Sequence, residues 1–191
     1  YRLLHRQDNA DERLSAIGHR IGLVSDARFA AVQEKYRLVD AECTRLEKTH
    51  LAPTPALAAM LTARGTAPTS SGVSLADLLR RPQITYADLA PFDPARPELP
   101  HVVTEQAEIR LKYAGYIQRQ LRQVAEFTRL EERLLPPDLD YQEVSCLRLE
   151  ARQKLNDIRP ASLGQASRIS GVSPADIATL MVYLESHEGQ K

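Results

Sequence analysis

Five histidines, two cysteines and a scatter of arginines are the residues here that could do chemistry, and their spacing decides which kind. His5, His19, His50, His101 and His187 recur at no interval that would gather a metal ion, so each reads as a surface histidine. Cys43 and Cys146 are far apart and neither belongs to a Cys-x-x-Cys pair, which suggests a reducing, cytosolic compartment with neither a disulfide framework nor a metal site. There is no Gly-x-Gly-x-x-Gly loop, no P-loop and no nucleophile elbow, and the glycines fall at expected helix ends. What remains is electrostatic. Arg2, Arg6 and Arg13 recur at intervals of four and seven, which would place them on one face of a helix and offer a basic patch to phosphate. Asp8, Asp11 and Glu12 stand among them and could neutralise that patch by pairing within the helix. With 25 basic and 25 acidic residues the chain carries no global field for nucleic acid, so any such binding rests on a local patch.

The elements that must position these residues are helical. The longest pattern runs from 105 to about 135, where Ile109, Tyr113, Tyr116, Ile117, Leu121, Val124, Phe127, Leu130 and Leu134 fall within half of a helical wheel, and Glu131 is the exception. A helix of that length spans roughly 45 Å, so the other elements must pack along it. Tyr113 and Tyr116 lie on its apolar face, where packing into a core is the simpler reading and base stacking the alternative. Upstream, Asn9 or Asp8 would cap a short helix ending near Gly18 or Gly22. Ser25 or Asp26 starts a second helix, whose Phe29, Val32, Tyr36, Val39, Cys43 and Leu46 form an a/d seam suited to an antiparallel hairpin. A short helix spans 56 to about 63. Ser74 caps another, with Asp77 at its third position, and Arg80-Arg81-Pro82 closes it. Pro91, Pro94, Pro97 and Pro100 then favour an extended connector without helix.

After Pro136-Pro137 the pattern predicts a helix from about 145 to 157, with Leu147, Leu149 and Leu155 apolar. A helix capped by Ser162 follows, ending at Gly171, and then one capped by Ser173 with Pro174 at its first position. The fold expected is all-α: a helical hairpin subdomain over residues 1–100, then a long helix and a C-terminal bundle of short helices over 101–191. No run is long and apolar enough to span a membrane, and the opening Tyr1-Arg2-Leu3-Leu4 without methionine reads as part of a longer protein.

The last two helices look like a helix-turn-helix, the sharpest lead toward a DNA-binding regulator. A recognition helix needs phosphate contacts from Lys or Arg, and between Pro174 and Glu188 there are none, only Asp176, Glu185, His187 and Glu188. Packing or protein contact through Ile177, Leu180, Met181 and Leu184 is the reading that fits. By residues alone the chain is an all-α accessory module, and a purely structural helical adaptor is the bland alternative.

Longer motifs add a resemblance. The segments Tyr1-Arg2-Leu3-Leu4 with Arg6-Gln7-Asp8-Asn9-Ala10-Asp11 and Arg13-Leu14, Asp77-Leu78-Leu79-Arg80-Arg81-Pro82, Lys112-Tyr113-Ala114-Gly115-Tyr116-Ile117, and the run from Arg159 to Val172 resemble, in order, the C-terminal helical domain of the MnmG (GidA) family. That resemblance implies a flavoenzyme using FAD and NADH which, with the GTPase MnmE, adds a carboxymethylaminomethyl or aminomethyl group to the wobble uridine of certain tRNAs. The FAD and NADH sites and the homodimer contacts would lie in an N-terminal part outside this sequence. This part would be colourless and inactive by itself and would meet tRNA and MnmE, with no membrane or DNA partner. The residues so implied for tRNA are Arg2, Arg6, Asn9, Asp11, Arg13, Lys112, Tyr113 and Tyr116, with the Arg80-Arg81 pair next in line. Those implied for the partner are Glu150 and Arg168, to which the apolar face of the last helix adds Ile177 and Leu180. For Asn9 and Asp11 helix capping competes with that role, and for Glu150 an ion pair on its own helix. The sequence departs from the family pattern at Gln7 and Ala114, where Glu is usual, and at Cys146 and Arg148, where a Gly and a capping Ser are common.

Overall fold

The computed structural model describes residues 1–188, with the side chains of His187 and Glu188 excepted, so the surface reading of His187 lies outside the described residues. Eight α-helices are described: α1 (Ala10–Arg20), α2 (Asp26–Lys48), α3 (Pro55–Ala63), α4 (Leu75–Leu79), α5 (His101–Glu132), α6 (Leu149–Ile158), α7 (Leu163–Ser167) and α8 (Pro174–Glu188). The fold is all-α apart from one antiparallel pair, β1 (His50–Leu51) with β2 (Val73–Ser74), in which His50 faces Ser74 and Leu51 faces Val73.

The caps read from the sequence form. Ser25 accepts from the Arg28 amide, Ser74 from Asp77, Ser162 from Gln165 and Ser173 from Asp176, each satisfying an otherwise orphan N–H of a first turn. The Ser74 and Ser173 hydroxyls in turn donate to the carboxylates of Asp77 and Asp176, at 2.7 Å in both cases. Asn9 stands at the N-cap position of α1, but its side chain donates to the Leu4 carbonyl and accepts from Arg13, so it caps nothing. The proline stretch opens with a short 3-10 helix, Ala87–Phe92, with Pro91 inside it. In so short a helix the missing proline N–H interrupts no i→i−4 ladder. The helix expected from 145 begins only at Leu149. Cys146 takes a left-handed φ of 70°, and Leu149 is exposed rather than packed.

The chain divides into two compact units, Tyr1–Gln120 and Leu121–Lys191, and the division falls inside α5 instead of at the proline connector. The reason is burial. Val103 and Ala107 of α5 pack with Tyr36 and Val39 of α2, and Leu111 joins the Leu46, Leu57, Leu75 and Leu79 core, so the first part of the helix belongs to the first unit. The connector is itself tied to α2: buried Glu42 and Asp93 both accept from Arg45, and Glu42 also accepts from the Tyr86 hydroxyl at 2.8 Å. In the second unit Tyr141, Val144, Leu147, Leu155, Leu163, Leu180 and Leu184 form the core. There the chain after α5 pairs with the entry to α7, the Leu135 amide donating to the Ala161 carbonyl and the Leu163 amide to the Arg133 carbonyl.

Candidate nucleic-acid interface

The first unit brings the N-terminal segment against α5. The first five residues make a single turn, with the Leu4 and His5 amides on the Tyr1 carbonyl, and no regular helix exists before Ala10. The intervals of four and seven therefore do not place Arg2, Arg6 and Arg13 on one helical face. The segment instead runs antiparallel to α5. The Leu3 amide donates to Gln120 Oε1 at 3.0 Å, the Arg6 guanidinium lies 5.0 Å from the Tyr113 ring centroid, and Gln106 donates to Asp8 at 3.5 Å.

Within this arrangement the arginines separate into structural and free ones. Arg6 is half-buried, grips Asp8 through two bonds of 2.9 and 3.0 Å and donates to the Leu3 carbonyl. The hydrogen bond from Arg6 holds the Asp8 carboxyl below its usual range, so the pair stays ionised. Arg13 spans Asn9, His5 and the Arg6 carbonyl. Asp11 does not neutralise the arginines. It leaves α1 for α2, accepting from Lys35 at 2.8 Å and Tyr36 at 2.5 Å, and those bonds outweigh burial and hold its carboxyl low. Glu12 likewise goes to Arg110 on α5. Lys112 pairs with Glu108 one turn earlier at 2.9 Å. Arg80 meets Asp77 and Glu47, and Arg81 meets Thr66 and the Ala67 carbonyl, so both members of that pair are engaged. Arg2 is exposed and, among the described residues, has no ion-pair or hydrogen-bond partner.

Tyr113 and Tyr116 are not core residues. They are 40% and 61% exposed, with ring centroids 6.4 Å apart. The half-wheel drawn from the sequence holds Ile109, Tyr113, Tyr116 and Ile117, whereas the buried stripe is Val103, Gln106, Ala107 and Leu111. The apolar pattern marks a face left open in this unit. Sequence reading also passed over Gly115 and Arg119. A Cβ built on Gly115 meets nothing within 4 Å, and Arg119 is exposed with no hydrogen-bond or ion-pair partner among the described residues. The signal was present in the sequence, since residues 109–120 contain Arg110, Lys112 and Arg119 and no carboxylate.

In the second unit the partner candidates fall into two groups. Ile177 and Leu180 are buried in the core and cannot face a partner; the exposed apolar positions on α8 are Pro174, Ala175, Ala178 and Val182. Arg168 is exposed and bonded to Glu131, which also accepts from Ser162 Oγ at 3.3 Å. Glu131, the apparent fault in the apolar pattern of α5, is thus the residue that holds the start of α7. Glu150 makes no ion pair on its own helix; its carboxylate lies across Gly171, where an added Cβ would sit 2.5 Å from Oε1. Arg148, the N-cap of α6 without a capping side chain, reaches Asp176 through its guanidinium at 2.6 Å.

The residues present do not fit a dinucleotide cofactor. Such a site needs a strand, a glycine-rich turn and a helix N-terminus in succession, and the described strands are two residues long with glycines at positive φ only after helices, at Gly22, Gly65 and Gly171. Among the described residues no group of three or more His, Cys, Asp or Glu side chains could hold a metal ion, and no helix is long and apolar enough to cross a membrane.

Comparison with known proteins agrees along the whole length. Residues 26–121 match the family described as the tRNA modifying enzyme MnmG/GidA C-terminal helical domain, and residues 123–191 match the MnmG/GidA C-terminal helical bundle. The tRNA uridine 5-carboxymethylaminomethyl modification enzyme MnmG of Lachnoclostridium phytofermentans is 51% identical over 191 residues, which is 100% of this chain and 30% of that protein. Its namesake in Caldicellulosiruptor saccharolyticus is 50% identical over 185 residues, 97% of this chain and 30% of its own length. A crystal structure of Aquifex aeolicus GidA superposes with a TM-score of 0.55 at 32% identity, covering 94% of this chain and 27% of that one. The chain thus spans about 30% of the length of the curated relatives it matches.

Proposed function

Because the chain belongs to the MnmG/GidA family and carries its C-terminal helical domain and helical bundle, we propose that it is the docking portion of a tRNA wobble-uridine modification enzyme. Its first unit meets tRNA and its second meets the GTPase MnmE. The FAD- and NADH-dependent chemistry, and the contacts of a homodimer, belong to the part of such a protein that this chain does not contain, and the setting is cytoplasmic. The observation that carries this reading is the in-order match of both units to relatives named for tRNA uridine modification.

The electrostatics favour the first unit as the RNA side. Its N-terminal segment and the facing part of α5 present Arg2 and Arg119 unpaired, while the nearby acids Asp8 and Glu108 are held by Arg6 and Lys112. Phosphate contact by exposed, unpaired cations releases counterions, so binding of this kind weakens steeply with salt. The second unit offers the exposed Val182 and Ala178 on α8, lining one pocket with Glu143, Ser145 and Thr179, a mixed surface suited to a protein, and carries Arg168 and Glu150 elsewhere. A DNA-reading role for α8 has no support, since the helix from Pro174 to Glu188 carries no Lys or Arg.

Separate titrations of the purified chain with a tRNA transcript and with the MnmE GTPase test the proposal. Expected are salt-dependent tRNA binding and GTPase binding that survives Arg2→Ala, with a colourless preparation throughout. Sequence-selective binding of duplex DNA, or stoichiometric flavin absorbance, would overturn it.

A further inference from the structure

The middle of α5 carries three features that its own packing does not require. Tyr116 is 61% exposed and, among the described residues, its one ring neighbour is Tyr113, whose ring in turn sits against the Arg6 guanidinium. Gly115 occupies the interior of a 32-residue helix with nothing near its missing Cβ. A helix-interior glycine costs about 1 kcal/mol relative to alanine, and no close approach within the chain offsets that here. Arg119 lies three residues beyond Tyr116 and four beyond Gly115, hence beside both on the helix surface, and has no ion-pair or hydrogen-bond partner among the described residues. Leu3 is tied to Gln120 at the same level, which brings Arg2 to this end of the face.

An aromatic ring with a free face, a strip of bare backbone next to it and cations beyond is the arrangement that takes one unstacked nucleotide: base on the ring, ribose over the glycine, phosphate on the arginine. We propose that Tyr116, Gly115 and Arg119 form a stacking platform for a single unpaired nucleotide of the tRNA, with Arg2 on the adjoining phosphate. Charge complementarity selects nucleic acid over an apolar protein segment as the occupant, because Arg119 and Arg2 stand exposed without an ion-pair partner among the described residues, while Arg110 and Lys112 are already held by Glu12 and Glu108 and residues 109–120 add no carboxylate. Tyr113 is the support of the platform: Arg6 and Tyr116 flank its ring and fix the tilt of the pair, with ring planes 56° apart.

The inference rests on the tRNA-docking reading, and its test separates the two. Affinity of the full chain for a tRNA transcript, and for a fully paired RNA duplex, is measured against salt for Tyr116→Phe, Tyr116→Ala, Arg119→Ala and Gly115→Ala. Tyr116→Phe should bind tRNA as the parent does, and Tyr116→Ala should lose about tenfold with an unchanged salt slope, since stacking is not ionic. Arg119→Ala should lower the slope of log affinity against log salt by about 0.7 to 0.9, the share of one phosphate contact. Gly115→Ala should melt at a higher temperature yet bind tRNA more weakly, a combination that loss of structure cannot produce. None of the Tyr116 variants should alter duplex binding. If the chain binds tRNA and Tyr116→Ala and Gly115→Ala both bind like the parent, the platform is wrong and the docking reading stands. If the parent chain binds no tRNA, both fall.

Discussion

Replacing Cys146 by glycine should stabilise the second unit. Cys146 has a φ of 70°, in the left-handed region, and sits in the turn before α6. Val144 and Leu147 on either side of it are buried, which pins the turn and prevents it from relaxing to another conformation. An L-residue held there crowds its Cβ against the backbone at a cost of about 1–2 kcal/mol. Glycine removes that cost but gives the unfolded chain more freedom, worth about 0.5–1 kcal/mol in the opposite direction. The thiol is exposed, so its deletion forfeits little packing. The net gain is about 0.5–1 kcal/mol, which at a urea dependence of about 1–2 kcal/mol per molar moves the midpoint up by roughly 0.5 M. Urea unfolding followed by circular dichroism reads this in the transition of the second unit. Cys146→Ala is the control: it removes the sulfur but keeps the Cβ, so its midpoint should stay near that of the parent. A loss of stability in Cys146→Gly, or an equal gain in Cys146→Ala, would refute the argument from backbone conformation.

Leu180→Ala, at a fully buried position of α8, should cost about 2–5 kcal/mol, whereas Val182→Ala at a position 66% exposed should stay within about 0.5 kcal/mol; thermal melting distinguishes a core residue from a surface one. Arg6→Lys keeps the charge but loses the two-bond grip on Asp8 and the contact with Tyr113, so it should destabilise the first unit by about 1–3 kcal/mol in urea. The acid side of the stability profile should depend on Asp176, whose carboxyl the Arg148 guanidinium holds well below its ordinary value of 3.8. A depressed folded-state pKa gives stabilisation that is complete above the unfolded value and disappears as pH falls through and below it, so Asp176→Asn should lower stability at pH 7 and flatten the decline below pH 4. An unchanged acid limb in that variant would mean that other carboxylates, such as Asp8 and Asp11, dominate it.

Local chemistry was legible in the sequence, and so was the family. Ser25, Ser74, Ser162 and Ser173 cap their helices because a cap is settled within three residues of itself. The α2 seam through Tyr36, Val39 and Leu46 is buried because its three-and-four spacing leaves that helix one apolar face. Gly22 and Gly171 stand where a chain leaving a helix needs positive φ. Partner choice over long separations was not legible. Asp8, Asp11 and Glu12 are close neighbours in sequence, yet they go to Arg6, to Lys35 with Tyr36, and to Arg110, and only the placement of α2 and α5 beside α1 decides which carboxylate meets which cation. In the same way the apolar half-wheel of α5 does not say which of its sides will be covered. Helical periodicity fixes which residues share a face, but burial depends on what packs there. Val103, Ala107 and Leu111 found α2 and the leucine core, while Tyr116 and Arg119 were left facing outward, free to meet another molecule.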